Sequence, residues 1–131
     1  MNQRTVLIID DDIDLVEILR INLEGAGYRV IDAQSGENGF KLATKEQPDL
    51  ILLDVMMDVI DDGFQTAYKL RMNTETKHIP ILMLTAVTEQ TGFEFNHKKD
   101  EGFLPVDEFI EKPVNPRKLL DLVKQHLTPI V

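Results

Sequence analysis

Leu50-Ile51-Leu52-Leu53-Asp54 is an unbroken aliphatic run that ends abruptly in a carboxylate. A strand with one wet face alternates apolar and polar residues. A continuous run instead marks a strand covered on both faces, as in a parallel sheet flanked by helices. The same pattern recurs along the chain. Val6 to Ile9 ends in Asp10, Asp11 and Asp12. Tyr28 to Ala33 is a weaker, more polar run. Ile79 to Leu84 ends in Thr85, and Phe109-Ile110 ends near Lys112.

Helical patterns fill the intervals. Asp12 is placed to N-cap a helix whose Leu15, Val16, Leu19 and Leu23 form an apolar stripe, with Gly25 as its stop. Ser35 to Glu46 reads as a second helix, with Phe40 and Ala43 on one side, and Phe64 to Met72 as a third. Asn115-Pro116 opens the last one as an N-cap followed by proline at the first helical position, and Leu119, Leu120, Val123 and Leu127 face inward. Strands alternating with helices predict a doubly wound α/β fold with right-handed crossovers. One stretch resists this reading. Thr88 to Asp107 has no helical period, and Gly92, Gly102 and Pro105 disfavour a continuous helix. The expectation there is a short, irregular or absent helix and an extended loop pinned by Phe93, Phe95 and Phe103.

Composition narrows the function. The 131 residues suit a single domain over 1–131, with no output domain. A hydrophobic fraction of 43% supports a packed core. A net charge of −9 argues against direct nucleic-acid binding and against docking on anionic membranes. The absence of cysteine removes disulfides and thiolate metal sites. Met1-Asn2-Gln3-Arg4 runs straight into a short strand, unlike a signal peptide, and no apolar run approaches the ~20 residues of a membrane span. The expected location is cytoplasmic. His78, His97 and His126 are scattered and read as non-catalytic.

The residues that terminate the strands carry the chemistry. In open parallel sheets, ligands bind at the carboxyl ends of strands, near the switch in strand order. Strands one and three are predicted neighbours there, so Asp10, Asp11 and Asp54 converge, with Thr85 and Lys112 opposite. Three crowded carboxylates repel one another, and a hard divalent cation relieves that repulsion. Oxygen-only ligands favour magnesium, with manganese as a substitute. A carboxylate can attack phosphorus to give an acyl phosphate. Lys112 would then neutralise one phosphoryl oxygen and the Thr85 hydroxyl would bond another. Taken singly, each residue has an ordinary explanation: Asp10 to Asp12 as a cap and solvated turn, Asp54 as a strand end, Thr85 as a strand residue, Lys112 as a surface lysine. Together they complete one charge-balanced site.

Ile8-Ile9-Asp10-Asp11-Asp12, Leu52-Leu53-Asp54-Val55-Met56-Met57, Leu84-Thr85-Ala86 and Phe109-Ile110-Glu111-Lys112-Pro113 resemble the motifs of the response-regulator receiver domains of two-component signalling, in order and over nearly the whole chain. The resemblance implies a flavodoxin-like five-stranded parallel sheet of order 2-1-3-4-5. It implies that Asp54 is the phosphoacceptor and that Asp11 binds magnesium directly and Asp10 largely through water. The Met56 main-chain carbonyl becomes a further metal ligand, and the Val55 and Ala86 amides become phosphoryl contacts. Phe109 matches an aromatic switch position, although a core aromatic reads equally well, and Pro113 follows a bond the family usually holds in cis. The implied donor is a sensor histidine kinase or histidine phosphotransfer protein. The output is an unknown downstream protein, reached as a monomer or a phosphorylation-dependent homodimer. Met56 and Val87 match the positions that modulate water attack on the acyl phosphate. Both are apolar, which implies a long-lived phosphorylated form.

Three departures from the family pattern stand out. Asp58 replaces the usual proline, Asp61-Asp62-Gly63 sits one position further from Asp54 than the usual Asp-Gly pair, and the Thr85-to-Lys112 interval is longer than typical. Two other functions compete. A phosphohydrolase with an aspartyl-phosphate intermediate needs a second aspartate two residues after the nucleophile, where this chain has Met56, which cannot transfer a proton. A pseudo-receiver would keep the fold as a phosphorylation-independent binding module, against which the retained acidic pair, threonine and lysine argue. No P-loop sequence is present, so ATP is not the expected direct donor. The expected activity is self-catalysed phosphotransfer and autodephosphorylation only, not that of a conventional enzyme.

Overall fold

The computed structural model describes residues 3–55, 62–86 and 106–127. Five strands, β1 (Thr5–Ile9), β2 (Arg29–Ala33), β3 (Leu50–Asp54), β4 (Ile81–Ala86) and β5 (Glu108–Lys112), form one parallel sheet of order β2-β1-β3-β4-β5. Four helices are described, α1 (Ile13–Gly25), α2 (Gly36–Glu46), α3 (Asp62–Met72) and α4 (Pro116–His126). The predicted flavodoxin-like order is the observed one.

The continuous aliphatic runs are explained by burial on both faces. Val6 and Ile8 of β1 join a core with Leu19 and Leu23 of α1 and Leu119 and Val123 of α4. Leu7 and Ile9 point the other way, into a core with Ala43 of α2 and Leu70 of α3. A period of two sends alternate side chains to opposite faces, so every position of such a strand must be apolar. Gly39 lets α2 lie directly on β1. A Cβ there would come within 2.4 Å of Ile9 Cδ1.

The first and last helices start at their expected caps, Asp12 and Asn115, while Ser35, read as the first residue of the second helix, is its cap instead. Asp12 accepts from Leu15 N (3.1 Å), Ser35 from Asn38 N (3.1 Å) and Asn115 from Lys118 N (3.1 Å). Several boundaries move for local reasons. The left-handed turn after α1 is made by Gly27, at φ 100°, rather than by Gly25. Tyr28 belongs to that helix ending, because its N–H bonds Leu23 O at 3.1 Å, so β2 starts at Arg29. The fourth strand starts at Ile81 instead of Ile79 and runs on through Thr85 to Ala86. Ile79 N turns back to Thr76 O (3.0 Å), and Pro80 has no N–H to give a ladder, although its carbonyl accepts from Ile51 N at 2.9 Å.

The amino ends of β4 and β5 are clamped. Arg71, at the end of α3, donates to the carbonyls of Lys77 (2.9 Å) and Ile79 (2.7 Å) and to the Asp107 carboxylate (2.6 Å). Asp107 holds Ile81 twice, accepting from its N–H and donating to its carbonyl, both at 2.8 Å. The expectation for Thr88 to Asp107 falls, apart from Val106 and Asp107, outside the described residues. So does the reading of Met56, Val87, Asp58 and Asp61. No helix among the described residues is long and apolar enough to cross a membrane.

Candidate functional site

The carboxyl ends of β1, β3, β4 and β5 bring the expected residues together. Asp10 follows β1, and its N–H extends the ladder to β2 by bonding Ala33 O at 3.0 Å. Asp54 is the last residue of β3 and lies opposite Leu84, so Thr85 stands one step beyond it on the neighbouring strand. Ala86 pairs with Lys112 at the ends of β4 and β5. Asp10, Asp54 and Thr85 are buried, Lys112 is half-buried and Asp11 is exposed.

Electrostatics dominate this corner. Carboxylate oxygens of Asp10, Asp11 and Asp54 lie within 4.8 Å of one another. Lys112 Nζ donates to Asp54 Oδ1 at 3.1 Å and sits 3.5 Å from Asp10 Oδ2. One ammonium cannot balance three carboxylates. Burial first, then the charges of Asp54 and Asp11, push the Asp10 carboxyl from an ordinary 3.8 to about 6, against the Asp12 N–H bond and Lys112. Burial opposes the charge on Lys112, yet Asp10 and Asp54 more than offset it and raise its pKa. Asp10 Oδ2 is buried without a hydrogen bond. An orphaned buried oxygen, surplus negative charge and an oxygen-only donor set together fit a hard divalent cation.

Sequence reasoning missed two parts of this site. The first is the Asp12 main-chain amide, which holds Asp10 Oδ1 at 2.9 Å and so aims the other oxygen at Lys112 and Asp54. An aspartate followed two residues later by a helix cap is the local signal for such a turn. The second is Gly63. A Cβ there would stand 2.5 Å from Asp54 O and 2.6 Å from Val55 Cα. Those are backbone atoms of the Asp54–Val55 peptide and cannot yield as a flexible side chain can. Gly63→Ala should therefore cost about 1–3 kcal/mol in a urea melt and slow phosphorylation, because α3 or Asp54 must shift. Stability and rate both matching wild type would show that the contact is unimportant.

One expectation needs correcting. The Val55 amide was expected to face the phosphoryl group, but it donates to Leu84 O at 3.0 Å. The β3–β4 ladder runs one residue past Asp54 and occupies that donor. Phe109 is half-buried and packs against the core on the α2–α3 side. It lies opposite Met83, and Thr85 opposite Glu111, so the two-residue period puts Phe109 and Thr85 on the same face of the sheet. The Lys112–Pro113 peptide is cis.

Comparison with known proteins adds independent support. The model of the response regulator receiver domain matches residues 6–124. The DNA-binding dual master transcriptional regulator RpaA of Synechocystis is 40% identical over 120 residues, 91% of this chain and 47% of that protein. The alkaline phosphatase synthesis transcriptional regulatory protein PhoP of Bacillus subtilis is 39% identical over 128 residues, 95% of this chain and 48% of that protein. The chain thus spans about half the length of these relatives. Among solved structures, the chemotaxis protein CheY4 of Vibrio cholerae superposes with a TM-score of 0.82 at 30% identity, covering 96% of this chain and 100% of that one. A response regulator protein from Burkholderia multivorans superposes with a TM-score of 0.74 at 34% identity, covering 99% of each. With the family model spanning residues 6–124 and the fold superposing on these structures, the chain belongs to the response regulator receiver domain family of two-component systems.

Proposed function

We propose that this chain is a phosphorylation switch whose acceptor is Asp54. The observation that carries the reading is the buried Asp54 carboxylate at the end of β3, bonded to Lys112 and grouped with Asp10 and Asp11. An Asp54 oxygen attacks phosphorus, the new P–O bond forms, and the bond from phosphorus to the donor breaks, its electron pair leaving with the donor. The donor is a sensor histidine kinase or a histidine phosphotransfer protein. Lys112 moves its hydrogen bond from Asp54 to a phosphoryl oxygen, and the Thr85 hydroxyl and Ala86 amide donate to the other phosphoryl oxygens.

Asp10, Asp11 and Asp54, with the Met56 carbonyl, would hold magnesium. When bound, the ion supplies positive charge that draws the acceptor and the phosphoryl group together. Asp10 keeps the pocket anionic enough to retain it, while burial of Asp54 and Thr85 limits water attack on the acyl phosphate. The chain transfers the group to itself and hydrolyses it slowly, so it is no conventional enzyme. Residues 1–131 act as one receiver domain in the cytoplasm, passing the signal to a downstream protein as a monomer or a phosphorylation-dependent homodimer. With its net charge of −9, this domain does not itself contact nucleic acid.

Incubation with acetyl phosphate and magnesium tests the reading by intact mass. A single phosphoryl adduct that decays slowly is the expected result. Continuous turnover of the donor would point to a phosphohydrolase. No adduct, either here or with a histidine kinase as donor, would point to a pseudo-receiver.

A further inference from the structure

At the carboxyl end of the edge strand β2, on the same edge of the sheet as the acidic site, a groove of about 440 Å³ runs between that strand and α2. Its strand wall is Asp32 to Gln34, and its helix wall carries Asn38, Lys41 and Lys45. We propose that this groove docks an extended acidic segment of another protein, which adds to β2 as a sixth strand.

The strand wall argues for a peptide. In a parallel ladder, alternate residues bond a given neighbour. Arg29 N bonds Arg4 O, and Ala33 O accepts from Asp10 N, so residues 29, 31 and 33 face β1. Residues 30 and 32 therefore turn their N–H and C=O groups outward. The Val30 carbonyl is covered by Arg20 (3.1 Å), which leaves Asp32 as the next outward-facing residue, beside the groove. An exposed edge that offers both a donor and an acceptor is complemented by a peptide backbone. A phosphate-type anion has acceptors alone and would meet the Asp32 carbonyl unfavourably.

The helix wall argues for acidity. Asn38, Lys41 and Lys45 lie three and four residues apart, so they share one face of α2. Lys41 reaches Glu37 only at 3.5 Å, with both side chains largely exposed. The Asp32 carboxylate is already engaged by Arg20. The groove is thus a basic strip on an acidic molecule. A second copy of this chain does not fit, because a two-fold pairing of β2 edges would set the same lysines against each other.

Titration of labelled protein with a short peptide alternating glutamate and threonine, followed by amide chemical shifts, tests this. The Asp32 and Gln34 amides should move, and a lysine–threonine peptide should leave them in place. Lys41→Glu with Lys45→Glu should weaken binding at least roughly tenfold, while phosphorylation of Asp54 stays normal as a sign of intact folding. A glutamate peptide N-methylated at alternate residues should lose binding, since it cannot pair along an edge. Three results would each overturn the proposal: no movement at Asp32 and Gln34, equal binding of the N-methylated peptide, or equal affinity for pyrophosphate at the same amides.

Discussion

The Asp54→Ala variant should incorporate no phosphoryl group from acetyl phosphate and magnesium, under conditions where wild type gains one. The change removes the proposed nucleophile and also relieves the carboxylate crowding, so the variant should fold at least as well as wild type. Its failure to label would then report chemistry, not unfolding. Lys112→Ala supplies the contrast. It keeps the nucleophile but removes the ammonium 3.1 Å from Asp54 Oδ1. Labelling should slow by roughly a hundredfold or more, the usual cost of deleting one preorganised donor to a developing negative charge. Label persisting in Asp54→Ala would sink the assignment, and an unchanged rate in Lys112→Ala would remove that lysine from the mechanism.

Without magnesium, the protein should become less stable as pH rises from about 4 to above 6. Asp10 sets the sign. Its folded pKa is about 6, against 3.8 for the free group. Between those values the native state holds a proton that the unfolded state has released, so raising the pH favours unfolding. At about 1.4 kcal/mol per unit, the penalty reaches about 3 kcal/mol once both states are ionised. Asp10→Asn keeps an oxygen for the Asp12 amide and should flatten that part of the profile. Magnesium should reverse the trend, adding about 2.7 kcal/mol at a hundredfold excess over its dissociation constant. The gain should be smaller in Asp10→Asn and Asp11→Ala. Urea melts across this pH range, with a chelator or with magnesium, separate the cases. Parallel profiles for wild type and Asp10→Asn would rule out Asp10 as the source.

The parts of this molecule legible in the sequence were those with local causes. Two-sided burial writes itself as continuous runs such as Leu50 to Leu53, and caps such as Asp12 and Asn115 sit next to what they cap. The residues ending each run then fell at one edge of the sheet because all five strands are parallel. The illegible parts depend on distance in space. Nothing near Val55 announces that Leu84 will take its amide. The spacing of Gly63 from Asp54 gives no hint that the glycine rests on the Asp54–Val55 peptide. Arg71 and Asp107 are 36 residues apart, and no pattern links them. Pro80 was visible, but its effect on where β4 begins depended on the ladder that Ile51 forms with it.

The Arg71–Asp107 clamp has a bearing on how the protein can diversify. The connection from Ala86 to Asp107 leaves the sheet beside the reactive corner and re-enters at the opposite end. Both anchors are held by residues outside the connection: Ala86 by the Lys112 rung, and Asp107 by Ile81 and Arg71. Lengthening a loop between fixed ends is cheap, about 0.6 kcal/mol for each doubling. The two anchors therefore keep their places whatever the length of chain between them. A lineage, or a designer, can change the number of residues between them while Asp54, Thr85 and Lys112 stay where β3, β4 and β5 put them.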